Sequence, residues 1–178
     1  MSKHRVRSLN NGFGLIEIVV GLSILSVSFF SLMLVGSNVT KLSASTSRSL
    51  QASFLLEEGL EAVRSVRDRV GFNALMLMIA PIPPTPPGTG YLWFSTSTSQ
   101  WRIDSATPEV INDIFFRTIV LSPVSRSIVP GSTMDDIVTS GGTNDINTKK
   151  LTVYVSWRTG PATTTISAST YLTNYFDD

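Results

Sequence analysis

A long apolar run near the N-terminus dominates the hydrophobic pattern of the chain. Residues 13–36 read FGLIEIVVGLSILSVSFFSLMLVG and contain one charged residue, Glu17. At about 1.5 Å per helical residue, such a run spans roughly 36 Å, which exceeds the hydrocarbon core of a bilayer, about 30 Å thick. The pattern therefore predicts a helix that spans a membrane.

The charges before this run predict its orientation. Residues 1–12 include Lys3, Arg5 and Arg7 and no acidic residue. By the positive-inside rule the N-terminus stays in the cytoplasm and the rest of the chain lies outside it. The small-residue cleavage site of an ordinary secretory signal does not follow the apolar run. We therefore expect the anchor to remain on the protein and residues 37–178 to be extracytoplasmic.

A second helical pattern follows the anchor. Residues 37–72 contain no proline, so the helix can continue through them. Apolar residues then recur at helical spacing, which predicts a buried face. The residues of this predicted face are Leu56, Leu60, Val63 and Val70, and Leu50 and Phe54 precede them.

The pattern changes to that of a β domain beyond a proline-rich stretch. Five prolines lie within residues 81–87, and we interpret residues 73–90 as an extended linker. Residues 91–178 then form a β-rich globular domain, in which apolar and polar residues alternate most clearly from Lys150 to Arg158. The predicted strands are 91–95, 100–104, 114–121, 150–158 and 163–172, the first two and the last two forming hairpins.

These elements predict an α+β fold. A long N-terminal helix, with a membrane-spanning half at 13–36 and an extracytoplasmic half at 37–72, packs against an antiparallel sheet of four or five strands. Residues 37–178, which are expected to form one soluble domain, are of ordinary number for a domain with a single hydrophobic core.

Composition argues against most enzymatic chemistry. The chain has no cysteine, and its only histidine, His4, lies in the leader formed by residues 1–12. Disulfides, thiolate metal sites and histidine-dependent catalytic groups are therefore not expected in residues 13–178, and no G-x-S-x-G or phosphate-loop pattern occurs there. We expect no enzyme activity.

The net charge gives no support for nucleic-acid binding. The chain has 14 Lys and Arg, of which the leader holds three, so 11 face 13 acidic residues in the remainder. Phosphate binding needs clustered basic residues, and this near-neutral remainder lacks them.

Glu17 requires a physical explanation, because a carboxylate inside a membrane helix costs on the order of 3 kcal/mol. Cleavage after Gly12 would place the α-amino group of Phe13 one turn, about 6 Å of rise, from Glu17. The two charges could then neutralise each other within one subunit or between neighbours. The alternative is a helix-start carboxylate at the membrane interface, favoured there by the helix dipole.

The run Gly12-Phe13-Gly14-Leu15-Ile16-Glu17 after a short basic leader resembles the class III signal of type IV pilins and of the pseudopilins of type II secretion. The resemblance implies that prepilin peptidase cleaves after Gly12 and methylates Phe13. It also implies that Glu17 assists assembly of the incoming subunit. Two features depart from the usual pattern: Gly14 replaces threonine or serine, and no proline precedes Pro81. The missing helix proline favours a minor component over a major pilin.

The resemblance implies a structural subunit of a type IV pilus or a type II secretion-like filament. Its partners would be other pilin or pseudopilin subunits, prepilin peptidase, and an inner-membrane assembly platform with a separate motor ATPase. Its location would be the bacterial inner membrane and then the filament. The alternative is a signal-anchored extracytoplasmic binding domain that does not polymerise.

The charges on the second half of the helix are ordered along the chain. Acidic residues come first and basic residues last, as the helix dipole prefers. They are Glu57, Glu58 and Glu61, followed by Arg64, Arg67 and Arg69. A solvated helix face is the favoured interpretation, and pairing between filament subunits is the alternative. The same order resembles the corresponding helix of PilV-type minor pilins.

One weak metal candidate remains in the polar segment 133–148. Its carboxylates are Asp135, Asp136 and Asp145, and Asn144 and Asn147 add amide oxygens. Oxygen ligands suit Ca²⁺, and some pseudopilins hold calcium in a loop near the C-terminus. The spacing does not match an EF-hand, so a plain flexible loop is favoured and no cofactor is expected.

Overall fold

The computed structural model describes residues 14–79, 88–104, 106–127 and 136–175. The chain divides into two units, residues 1–47 and 48–178, and each is described by itself. The helices are α1 (Leu15–Val70) and α2 (Phe72–Met78). The strands are β1 (Thr89–Ser95), β2 (Gln100–Asp104), β3 (Glu109–Ile111), β4 (Phe115–Arg126), β5 (Ile137–Val138), β6 (Thr143–Thr159) and β7 (Ala162–Thr173).

The first unit consists, as far as it is described, of the N-terminal part of α1. Its apolar window is long and hydrophobic enough to cross a membrane, and none of that window is buried inside the protein. Four serine hydroxyls in this part each donate to the carbonyl oxygen four residues earlier, at 2.7–2.9 Å. These serines are Ser23, Ser26, Ser28 and Ser31. Their polar groups are therefore satisfied within the helix, as an apolar environment requires.

The second unit confirms the predicted α+β arrangement. The sheet is antiparallel, in the order β2-β1-β4-β6-β7, and the short strands β3 and β5 also pair with β4. Both predicted hairpins are present. The β6–β7 turn is the pair Gly160-Pro161, where the φ of 65° at Gly160 suits the first position of a two-residue hairpin turn.

Two strands run further than the alternating pattern predicted. β4 continues to Arg126 instead of ending at residue 121, and β6 begins at Thr143 instead of 150. The pairing of β4 with β6 is irregular between Pro123 and Val124, where proline supplies no N–H, and resumes beyond it. The predicted loop at 133–148 is therefore wrong for residues 143–148, which belong to β6, and for Ile137–Val138, which form β5.

The core lies between the sheet and the last third of α1. The buried helix residues are Ala52, Leu56, Gly59, Ala62, Val63 and Val66. Leu56 and Val63 were predicted, and the other two predicted residues, Leu60 and Val70, pack against the same core. Leu50 and Phe54, which precede the predicted face, are 57% and 60% exposed. The true face uses small residues, because a β-carbon at Gly59 would lie 2.9 Å from Val153 Cγ1 and the helix must approach β6 closely.

The linker prediction is corrected at both ends. Residues 73–78 belong to α2, where Phe72 and Leu75 are buried in the same core, and Thr89 already lies in β1. The five prolines at 81–87 lie outside the described residues.

Candidate functional site

The candidate site consists of the processing residues Gly12 and Phe13 and the assembly residue Glu17. The structure describes it only from the beginning of α1. Gly12 and Phe13 lie outside the described residues. The backbone N–H of Gly14 donates to Glu17 Oε2 at 2.9 Å, and α1 begins at Leu15. The carboxylate of the third helical residue thus satisfies one of the N–H groups that a helix start leaves free, and its charge lies at the positive end of the helix dipole.

This contact gives Glu17 a partner within its own chain. This hydrogen bond has the geometry expected if Glu17 is a helix-start carboxylate at the membrane interface. That is the alternative explanation of a charge at this position. The pairing with the Phe13 amine, which the resemblance favours, involves a residue outside the described part. Glu17 remains the one charged residue between Gly14 and Thr40.

The surface that α1 offers around this site is apolar on every side. Large hydrophobic side chains from Leu15 to Leu42 are between 50% and 81% exposed. Such a surface is unstable in water and requires lipid or neighbouring apolar helices. Because either environment is apolar, exchange between them has little hydrophobic cost, and packing and hydrogen bonding decide which helices associate.

A second polar group of note lies in the unit that carries the sheet. The Arg117 side chain, on β4, is only 1% exposed. Its Nε and Nη2 donate to the two carboxylate oxygens of Glu109, each at 2.8 Å. Its Nη1 donates to Glu58 Oε2 at 2.7 Å and to the carbonyl oxygen of Leu55 at 3.2 Å. The guanidinium also lies 5.2 Å from the ring centre of Trp101.

This Arg117 cluster joins α1 to the sheet through one buried charge. Burial raises the pKa of Glu109, and the hydrogen bonds and charge of Arg117 offset only part of that rise. Burial by itself would lower the pKa of Arg117, but Glu109 and Glu58 outweigh it and raise that pKa. Since Glu109 is harder to ionise folded than unfolded, its ionisation costs stability as pH rises, and the bidentate Arg117 contact limits that cost.

This cluster was not predicted from the sequence. The available signal was an arginine in the middle of the apolar strand segment IFFRTIV, where a charge needs a buried partner. Among the ordered helix charges, for which a solvated face was favoured, Glu58 stays 48% exposed and also pairs with Arg117. Arg64 contacts Glu61 and Thr170 Oγ1, and Arg69, which is exposed, donates to the Trp101 carbonyl at 2.7 Å.

The calcium candidate does not come together in the part of the chain that the structure describes. Asp135 lies outside it, and no group of three His, Cys, Asp or Glu residues suited to a metal occurs among the described residues. Asp145 instead accepts hydrogen bonds from Arg126 Nε at 2.6 Å and from the backbone N–H of Asn147 at 2.9 Å. The Arg126 contact, with further help from Thr148, lowers the pKa of Asp145.

Comparison of the chain with protein-family models, with curated proteins and with solved structures finds no match.

The Arg117 cluster predicts a large, asymmetric effect of mutation. Arg117→Leu should lower the free energy of unfolding by about 3–5 kcal/mol, because Glu109 is left buried without a cation. Glu58→Gln should cost less, since the Glu58 side chain is 48% exposed and water can replace its partner. Denaturant unfolding of the full chain in detergent micelles measures both. Equal costs would contradict the assignment of Arg117 as the buried centre of the cluster.

The lowered pKa of Asp145 predicts acid sensitivity where β4 pairs with β6. Ionised Asp145 stabilises the fold above its unfolded-state pKa, and this contribution is lost as pH falls through its lower folded-state pKa. The melting temperature of the wild type should therefore fall more between pH 5 and pH 3 than that of Asp145→Asn. Asp113→Asn, which changes an exposed turn carboxylate, is the control. Identical pH profiles for wild type and Asp145→Asn would contradict the prediction.

Proposed function

We propose that this chain is a structural subunit of a type IV pilus or a type II secretion-like filament, in the manner of a minor pilin or pseudopilin. The observation that carries the proposal is the run Gly12 to Glu17 placed at the start of an apolar helix. Prepilin peptidase removes residues 1–12 and methylates Phe13. The subunit is then stored in the bacterial inner membrane and assembled through α1.

The form of α1 supports this proposal. Its first part has an apolar surface that requires lipid or other helices, and its last part is buried against the sheet. One continuous helix, Leu15–Val70, therefore contains both an anchor and a structural core element. A filament subunit needs both, because its helix must leave the membrane while its folded part stays intact.

Assembly would exchange lipid for neighbouring α1 helices. Glu17 would then pair with the positive amine of Phe13, on the same subunit or on the next one, and this pairing would fix the position of the incoming helix. The chain supplies no nucleotide-binding loop, so extraction from the membrane requires the separate motor ATPase of an assembly platform.

One observation favours a second candidate function. The Gly14 N–H already satisfies Glu17 within one chain, as it would in a signal-anchored extracytoplasmic binding domain that never polymerises. In that case Glu17 only stabilises the start of the helix. Substitution of Glu17 would then leave the membrane anchor and the β-rich domain unchanged.

Substitution of Glu17 separates the two functions. In the source bacterium, Glu17→Ala should insert into the membrane at the wild-type level and lose incorporation into sheared filaments by at least about tenfold, the effect of losing one charge contact of about 1.4 kcal/mol. The matched control is Glu57→Ala, which removes an exposed glutamate from the same helix beyond the anchor. Equal incorporation of both variants would contradict the assembly role of Glu17, and absence of wild-type chain from filaments would favour the anchored binding domain.

A further inference from the structure

The two edges of the sheet differ in their protection against pairing with another strand. The sheet ends in β2 on one side and β7 on the other. β2 has five residues, includes the charged residues Arg102 and Asp104, and has its Trp101 carbonyl occupied by Arg69. Short length, charge and occupied backbone groups are the usual ways in which an edge strand avoids adding a further strand.

β7 has none of these protections. It has 12 residues, none of them charged and none of them proline. Its pairing with β6 is unbroken from Thr148↔Thr173 to Thr159↔Ala162, so no bulge distorts it. Among the described residues, no strand pairs with its other edge.

The hydrogen bond next to the end of β7 shows which of its backbone groups are free. The Asn174 N–H donates to the Asn147 carbonyl at 2.8 Å, so in an unbroken antiparallel ladder the even-numbered residues face β6. The odd-numbered residues direct their N–H and C=O groups to the outer edge. These residues are Thr163, Thr165, Ser167, Ser169, Tyr171 and Thr173.

We propose that the outer edge of β7 binds an extended segment of another polypeptide, which adds to the sheet as an antiparallel strand. The six odd-numbered residues each offer one donor and one acceptor, and the added strand would satisfy them. This surface is separate from the helix-mediated assembly proposed above and does not depend on it.

The two faces of β7 define the chemistry of the segment. The odd-numbered side chains all carry hydroxyl groups and are mostly exposed, so the segment needs uncharged or hydroxyl side chains beside them. The other face carries Ile166, Ala168 and Leu172, which are partly or fully buried in the core. The alternate side chains of the segment should therefore be apolar where they lie beside these residues.

A second copy of this chain fits the edge less well. Its β2 edge is short and charged. Antiparallel pairing of two β7 strands in one sheet relates the copies by a half-turn about the sheet normal, which reverses the direction of the helix that packs on the sheet. The sheet-packed parts of the two α1 helices would then be antiparallel, unlike the helices of the assembly proposed above.

A synthetic peptide tests the edge directly. The probe is an acetylated and amidated copy of residues 162–173, which is uncharged and can pair antiparallel with β7 without a membrane anchor. It is added to the full-length protein in detergent micelles, and hydrogen exchange of individual amides is measured by NMR. We expect slower exchange at the six odd-numbered residues of β7, with little change at the even-numbered ones, which β6 already protects.

Two substitutions at one position provide the control. Ser167→Pro removes an outward N–H without removing a bond to β6, so it should keep the fold but weaken peptide binding by about tenfold or more. Ser167→Ala keeps the N–H and should bind like the wild type. Equal binding of the two variants, or no slowing at the odd-numbered residues, would overturn the proposal. Slow exchange there without peptide, together with concentration-dependent dimers, would assign the edge to a second copy and overturn the proposed partner.

Discussion

The fold of the unit that carries the sheet depends on the burial of one positive charge. Arg117 is almost fully removed from water, which is costly unless every donor of its guanidinium finds a partner. The partners come from three elements: Glu58 from α1, Glu109 from β3, and the ring of Trp101 from β2. These contacts can be satisfied together only when the helix lies at one position over the sheet. The cluster therefore fixes the register in which α1 packs on the sheet.

Close packing around the cluster enforces the same register. Gly59 lies against both Val153 and the Arg117 side chain, so the helix approaches the sheet where it has no side chain of its own. The apolar face of α1 supplies the driving force for this packing, and the buried charge makes alternative registers unfavourable. The first part of α1 has no such partner within the chain. Its apolar surface is removed from water only when lipid or other apolar helices surround it.

The sequence predicted the elements that carry a strong local signal. The apolar run at 13–36, the alternation in β6 and both hairpins could be read directly, because each depends on residues close together in the chain. The Arg117–Glu58 contact joins residues 59 positions apart and leaves no periodic pattern. The predicted face of α1 was built from large apolar residues and did not include Ala52 or Gly59, and the missing side chain of Gly59 is what permits the close approach to β6.

The far ends of two strands and the cap of α1 were not predicted from the sequence. The strand predicted at 114–121 continues to Arg126 as β4, passes an irregular point at Pro123 and pairs again with β6. Asp145, assigned to a loop as a calcium candidate, instead lies in β6 and binds Arg126. At the candidate site, the sequence identified Glu17 as the unusual charge but not its contact with Gly14, since a cap depends on where the helix begins.

The proposed function depends on processing at the start of the chain, by cleavage after Gly12 and methylation of Phe13. The intact mass of the protein tests this processing most directly. The full chain is expressed in bacterial membranes with and without a prepilin peptidase, beside a Gly12→Val variant as control. The peptidase should convert the wild type to a chain that begins at Phe13 and carries one added methyl group, while the variant should keep residues 1–12. A wild-type chain that keeps Met1 in the presence of an active peptidase, with no methyl group on Phe13, would contradict it.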